Sequence, residues 1–255
     1  MSSSSLLQNG DGERRSLASR TFRSMLGLKD QFQDASIKAI TGGDAGPKIK
    51  YLHLMMDSIQ RDHMKLEDFV ITCHALAPWD KKLTICCRFL STLLVILQTG
   101  PPVVSTAVES LNQFLTDIND VWASEDMFVS QFSIYLQSRI SFLAEHSEFS
   151  NHFNLNSTST NGLSLPQIEP AAEVTILSQM LSTQNRLSGL IRLGLKNAED
   201  MDYFRAKERS AVKSALILLY EDAFCFHVAN TEIFRLIFGR PSSTSGSDTT
   251  VGMIS

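Results

Sequence analysis

The sequence predicts an all-α protein, a stack of antiparallel helices, on three observations. Apolar residues recur at three- and four-residue steps through most of the chain. No segment alternates apolar and polar residues cleanly between turns, as a half-buried strand would. The periodic segments are joined by short stretches marked with Gly and Pro, and short joints favour antiparallel neighbours. At 255 residues, 43% of them hydrophobic, the chain is long enough to bury one sizeable core.

Residues 1–29 read as a flexible, basic lead segment. Its Ser and Arg content imitates a targeting peptide, but Asp11 and Glu13 interrupt the pattern, and Leu6-Leu7 is too short for a secretory apolar region. Leu17, Met25, Leu28 and Phe32 fall roughly on one helical face, with Phe22 and Leu26 nearby and Arg14, Arg15, Arg20 and Arg23 mixed among them. That is the composition of an interfacial helix, with Phe22, Met25 and Leu26 as the membrane-inserting residues. A frayed tail, or a helix lying on the core, fits the same composition.

Residues 30–239 form the predicted helical domain. "SIKAI" ends a short helix carrying Lys38, "TGGDAG" is a turn, and Gly46-Pro47 opens the next helix with Pro at its first position. Trp79, Leu83, Cys86, Leu90, Leu93 and Leu97 step along "WDKKLTICCRFLSTLLVILQ", one mostly buried helix closed by Gly100 and Pro101. Arg88, Ser91 and Thr92 break this run, so it is not a transmembrane span. "PPVVSTAVESLNQFLTDI" follows, then "SEDMFVSQFSIYLQSRISFLAEH" with Ser124 as its cap and acidic residues in its first turn. Ser, Thr, Asn and Gly fill a long loop at 147–169. Helix resumes at "AAEVTILSQMLSTQNRLSGLIRLGL", and the last long helix places Val212, Leu216, Leu219, Ala223, Phe226, Ile233 and Ile237 on one stripe. Gly239 and Pro241 stop it, leaving residues 240–255 as a disordered tail.

Little of this chain suits catalysis. The six histidines show no metal-ligand spacing, and no Gly-rich phosphate loop precedes a Lys-Ser or Lys-Thr pair. Cys73, Cys86, Cys87 and Cys225 form no C-x-x-C pair and lie in apolar helical patterns, where thiols behave as small hydrophobes in a reducing compartment. Cys86 and Cys87 with His74 therefore read as packing rather than nucleophile and base. The acidic residues read as scattered over solvated faces.

Charge is distributed unevenly. Between residues 14 and 51 eight basic residues face three acidic ones, a balance of +5, so the rest of the chain carries −9 of the net −4. Such asymmetry marks a surface built for something anionic. Lys38 at the end of one helix and Lys48 and Lys50 at the start of the next can converge on a polyphosphate, where the helix start adds unpaired N–H groups and Tyr51 a hydroxyl donor. On spacing alone, a solvated surface fits the same residues.

At these positions the sequence resembles the ANTH domains of the clathrin assembly proteins. Their phosphoinositide signature is Lys, nine residues, then a short basic cluster ending in His or Tyr, commonly after Gly-Pro or Pro-Pro. Here it is Lys38, nine residues, and "KIKY" at Lys48 to Tyr51 after Gly46-Pro47. "LTICCRFLSTLLVILQTGPP", "SQFSIYLQSRISF", "MLSTQNRLSGLI" and "ALILLYEDAFCFHVANTEIFRLI" resemble later helices of the family in order, so the likeness covers roughly residues 30 to 238. It implies an ENTH/VHS-like, right-handed superhelical stack or solenoid, no catalysis, no cofactor, and a phosphatidylinositol 4,5-bisphosphate headgroup held by Lys38, Lys48, Lys50 and Tyr51. The partners implied are a phosphoinositide membrane, clathrin or an adaptor complex, and SNARE cargo, with no nucleic acid, at the cytoplasmic side of the plasma membrane or on coated vesicles.

The chain also departs from the pattern. Ile49 stands where many members have a third lysine, Asp44 sits in the loop, and the residues after Gly239 hold no clathrin-box, D-P-F or N-P-F motif. A second class of function therefore stays open: a helical scaffold whose lysines contact an acidic partner or the actin cytoskeleton, with lipid incidental.

Overall fold

A computed structural model describes residues 27–42, 46–61, 65–99, 104–149, 168–199 and 206–239. Every regular element among them is helical. The first helix, α1, covers 27–41; it is followed by α2 (Ile49–Gln60), α3 (Leu66–Leu76), α4 (Leu83–Thr99), α5 (Val104–Trp122), α6 (Met127–Glu145), α7 (Pro170–Glu199) and α8 (Ala206–Phe238). A short 3₁₀ turn, Ser147–Phe149, follows α6.

Sequence neighbours pair in the way that short joints dictate. α5 packs along α6 and α7 along α8, while α6 also packs on α7 and α4 on both α6 and α8. α4 is the centre of the stack: Ile85, Phe89 and Leu93 are buried on one face of it, Leu90 and Leu94 on the next, and Cys87, Arg88, Ser91 and Thr92 on the remainder. A helix buried on nearly every side lies inside, its few polar side chains included. Gly194 of α7 shows how closely the helices approach, since a Cβ there would lie 2.6 Å from Phe128 of α6 and 2.7 Å from Leu216 of α8.

Several boundaries differ from those the periodicity predicts. The helix expected from Trp79 begins at Leu83, because Lys81 N–H closes a turn onto the Pro78 carbonyl. Trp79 is held in that turn by two indole bonds: its own to the His74 carbonyl and that of Trp122 to the Trp79 carbonyl, each 3.2 Å. The cap of α6 is Asp126 rather than Ser124, with its carboxylate accepting from Val129 N–H at 2.9 Å. Residues 27–29, expected to belong to the lead segment, are already helical. The expected loop at 147–169 opens with the 3₁₀ turn, whose Phe149 is buried against Phe142; residues 150–167 lie outside the described ones.

The acidic residues are not all solvated. Asp126, Glu173 and Asp222 are buried. Asp222 of α8 accepts from Arg139 Nη2 at 3.1 Å and from the Tyr135 hydroxyl, both on α6, and Arg139 also lies 4.8 Å from the Phe226 ring. Burial, with Asp222 beside it, pushes the Tyr135 hydroxyl up, so it stays protonated and donates. This cluster ties α6 to α8 through residues 83 and 87 apart in sequence, and it forms no pair of free catalytic carboxylates.

Candidate functional site

The end of the molecule where α1 turns into α2 gathers the residues singled out by charge. Lys38 stands in the last turn of α1, Lys48 caps α2 without a side-chain bond of its own, and Lys50 and Tyr51 follow in the first turn. Pro47 thus precedes the cap instead of occupying the first helical position expected for it. Lys48 N–H is taken by the Ala39 carbonyl and Tyr51 N–H by that of Lys48, so among the described residues the N–H groups of Ile49 and Lys50 are the ones left at the positive dipole end of α2.

Two contacts bring Lys38 and Lys50 together, and Lys48 turns elsewhere. The Lys38 and Lys50 ammonium groups each lie 5.8 Å from the centroid of the Tyr51 ring. A cation at that distance is attracted by the π-face. Lys48 folds over Gly42 instead, so closely that a Cβ on Gly42 would lie 3.0 Å from Lys48 Nζ. A Cβ there would also lie 2.9 Å from the Lys38 carbonyl, so glycine leaves room for both the end of α1 and the lysine stem.

The relative position of the two helix ends is fixed by the carbonyls of α1. Lys48 N–H donates to the Ala39 carbonyl at 3.3 Å, Gly42 N–H to Lys38 at 3.2 Å, and the Thr41 hydroxyl to Ile37 at 2.7 Å. The Ile40 carbonyl accepts at 3.4 Å from Arg88, a buried cation on α4. Lys38 and Lys48 are therefore held on a frame anchored in the core, not on a loose hairpin.

Two features of this end escape a reading based on charge alone. Asp34, counted in the sequence only as one acid among three, bonds to Lys38 Nζ at 2.6 Å; its position four residues earlier on the same helix is the signal that points to it. Its carboxylate, through that bond, raises the Lys38 pKa above the usual lysine value. Ile49 is 67% exposed between the two α2 lysines, so the apolar departure from the basic cluster faces outward. Phe22, Met25 and Leu26, expected to insert into membrane, lie outside the described residues.

Among the described residues other chemistry is not assembled. Cys73, Cys86, Cys87 and Cys225 are all buried free thiols; burial pushes Cys86 and Cys87 well up, and Cys225 up to about 11. Thiols of that kind carry little thiolate at neutral pH. His74 stacks on Trp79 and meets Phe114 edge-on, with Asp117 3.4 Å away, so its surroundings are structural. Among the described residues no cluster could hold a metal ion, and no helix is long and apolar enough to cross a membrane.

The fold and this end define a helical domain with an exposed cationic face. The chain matches the ANTH domain over residues 31–245 and belongs to that family, whose members, like those of the ENTH group, are typically phosphoinositide-binding endocytic adaptors. Among solved structures it is similar to the ENTH domain from epsin-2 in complex with phosphatidylinositol 4,5-bisphosphate, at 15% identity and a TM-score of 0.64, over 84% of this chain and 81% of that one. It is also similar to the endocytic adaptor complex AENTH, at 18% identity and a TM-score of 0.62, over 82% and 83% of the two chains. At these identities the likeness is one of fold, and it agrees with the ENTH-like helical stack that the sequence predicts. Compared with curated protein sequences, the chain has no match.

Proposed function

We propose that this chain is a non-catalytic peripheral membrane adaptor that binds the headgroup of phosphatidylinositol 4,5-bisphosphate through Lys38, Lys48, Lys50 and Tyr51. The observation that carries the reading is the gathering of Lys38 and Lys50 about the Tyr51 ring, with Lys48 at the same α1–α2 junction. Family membership supports it, and so does the fold shared with the epsin-2 domain, which was solved in complex with that lipid. The lysine ammonium groups supply compact charge to phosphate oxygens, and the start of α2 adds N–H donors and its dipole. The wider role in this reading is cytoplasmic, at the plasma membrane or on coated vesicles, in clathrin-mediated endocytosis and coat assembly with SNARE cargo. The basic segment 1–29 then follows the lysines onto the bilayer, with Phe22, Met25 and Leu26 entering the interface.

Vesicle co-sedimentation tests this directly, comparing the native chain with Lys48→Glu/Lys50→Glu after circular dichroism has shown equal helix content. Each charge near an anionic leaflet is worth about 1 kcal/mol, so reversing two lysines removes about 4 kcal/mol, roughly a thousandfold in affinity. Binding should need the bisphosphate and vanish in the double variant. Equal binding by both proteins, or none by the native chain, would replace the lipid reading with that of a scaffold for an acidic partner.

A further inference from the structure

We propose that Asp34 is a built-in competitor for Lys38, one that a phosphomonoester displaces and a singly charged lipid does not, so that Asp34 sets the charge density the site demands. This rests on the phosphoinositide reading above and names a specificity residue within it. Asp34 and Lys38 face each other one turn apart on α1, with carboxylate and ammonium 2.6 Å apart. The same ammonium lies over the Tyr51 ring, and Asp34 and Tyr51 line one groove between α1 and α2. None of the three lysines lines that groove, but Asp34 shares it with the ring about which Lys38 and Lys50 gather. Among the described residues, neither Lys48 nor Lys50 forms an ion pair, so Lys38 is the lysine of the three whose charge is already answered.

The pair is built to open. Its side chains are 49% and 58% exposed, and an exposed ion pair is weak because water screens it. Whether a ligand opens it depends on what replaces the carboxylate. The singly charged headgroup of phosphatidylserine offers Lys38 nothing that Asp34 does not already give. A phosphomonoester carries between about one and a half and two negative charges near neutral pH and three strong acceptor oxygens, and so wins the exchange. Lys48 and Lys50 can attract any anionic surface, while Lys38 is recruited only by dense phosphate charge. Asp34 thereby separates a general attraction to acidic membranes from capture of a phosphorylated inositol.

The test uses the full chain and vesicles of phosphatidylcholine containing either phosphatidylserine or phosphatidylinositol 4,5-bisphosphate at matched total charge. Asp34→Asn should tighten binding to phosphatidylserine vesicles several-fold, tighten binding to bisphosphate vesicles less, and so narrow the preference between them. Asp34→Glu, which keeps a carboxylate on the same face, should behave as the native chain. In a Lys38→Ala background Asp34→Asn should lose most of its effect, because the group it competes for is gone. An unchanged preference in Asp34→Asn, weaker bisphosphate binding, or the same gain without Lys38 would each overturn the proposal. In those cases the native chain still binds the bisphosphate; if it does not, the phosphoinositide reading itself has failed and the competitor role falls with it. Asp34 is exposed, so equal thermal unfolding of all the variants is expected and keeps the comparison clean.

Discussion

Asp222→Ala should be among the most damaging single substitutions in this domain. Asp222 and Arg139 are both fully buried, and Asp222 accepts from Arg139 and from Tyr135 on separate oxygens. Truncation removes the carboxylate while the guanidinium stays inside, where solvent cannot take over its role. Breaking a buried pair from one side costs about 3–5 kcal/mol. A domain holds roughly 5–15 kcal/mol in all, so this one change consumes a large share. Tyr135→Phe leaves the ion pair intact and deletes one hydrogen bond to a charged acceptor, for about 1.5–3 kcal/mol. The asymmetry is itself testable, because replacing both charges by apolar groups of similar size removes the desolvation problem with the attraction. Arg139→Met/Asp222→Leu, made in a Tyr135→Phe background so that no buried hydroxyl loses its acceptor, should therefore recover most of the loss. Urea unfolding followed by far-ultraviolet circular dichroism, with the slope checked for constancy, measures all of these. An Asp222→Ala loss below about 1 kcal/mol, or a combined variant no better than the single, would show that the cluster does not tie α6 to α8 in the manner argued.

The lysine end gives two further predictions. Gly42→Ala places a Cβ 2.9 Å from the Lys38 carbonyl and 3.0 Å from Lys48 Cε and Nζ, so the Lys48 side chain must leave its place. Vesicle affinity should fall by the worth of about one lysine, roughly fivefold, with helix content by circular dichroism unchanged. Ile49→Lys adds a charge at an outward-facing position between two lysines and should tighten binding to bisphosphate vesicles by about 1 kcal/mol. Weaker binding by that variant, measured in the same assay, would mean that Ile49 works through its apolar surface.

What could be read from the sequence was what is local. α4 is legible because its apolar residues recur at three- and four-residue steps along its length, and the lysine cluster because its four members lie within fourteen residues across one turn. Asp34 is legible too, through its four-residue spacing to Lys38, once the question is who already holds each lysine. Arg88 and Asp222 are different. Arg88 reaches a carbonyl 48 residues away, and the partners of Asp222 stand 83 and 87 residues from it. No period or spacing signals such bonds, so an arginine that interrupts an apolar run reads only as a break in it. Helix starts went astray for a related reason: the Pro78–Lys81 turn and the Asp126 cap are decided by individual hydrogen bonds, and periodicity extends past both.

An anion approaching Lys38 meets the wrong end of a helix. The C-terminus of an α-helix bears about half a negative charge on its last carbonyls, a field that opposes a phosphate. Here the carbonyls from Ile37 to Ile40 are each turned onto a donor, and one of those donors is the guanidinium of Arg88. The bonds that dock α1 onto the core thus also quiet its repulsion, and a full positive charge stands behind the surface lysines without ever meeting lipid. The domain's interior in this way helps set the potential that its outermost residues present to a membrane.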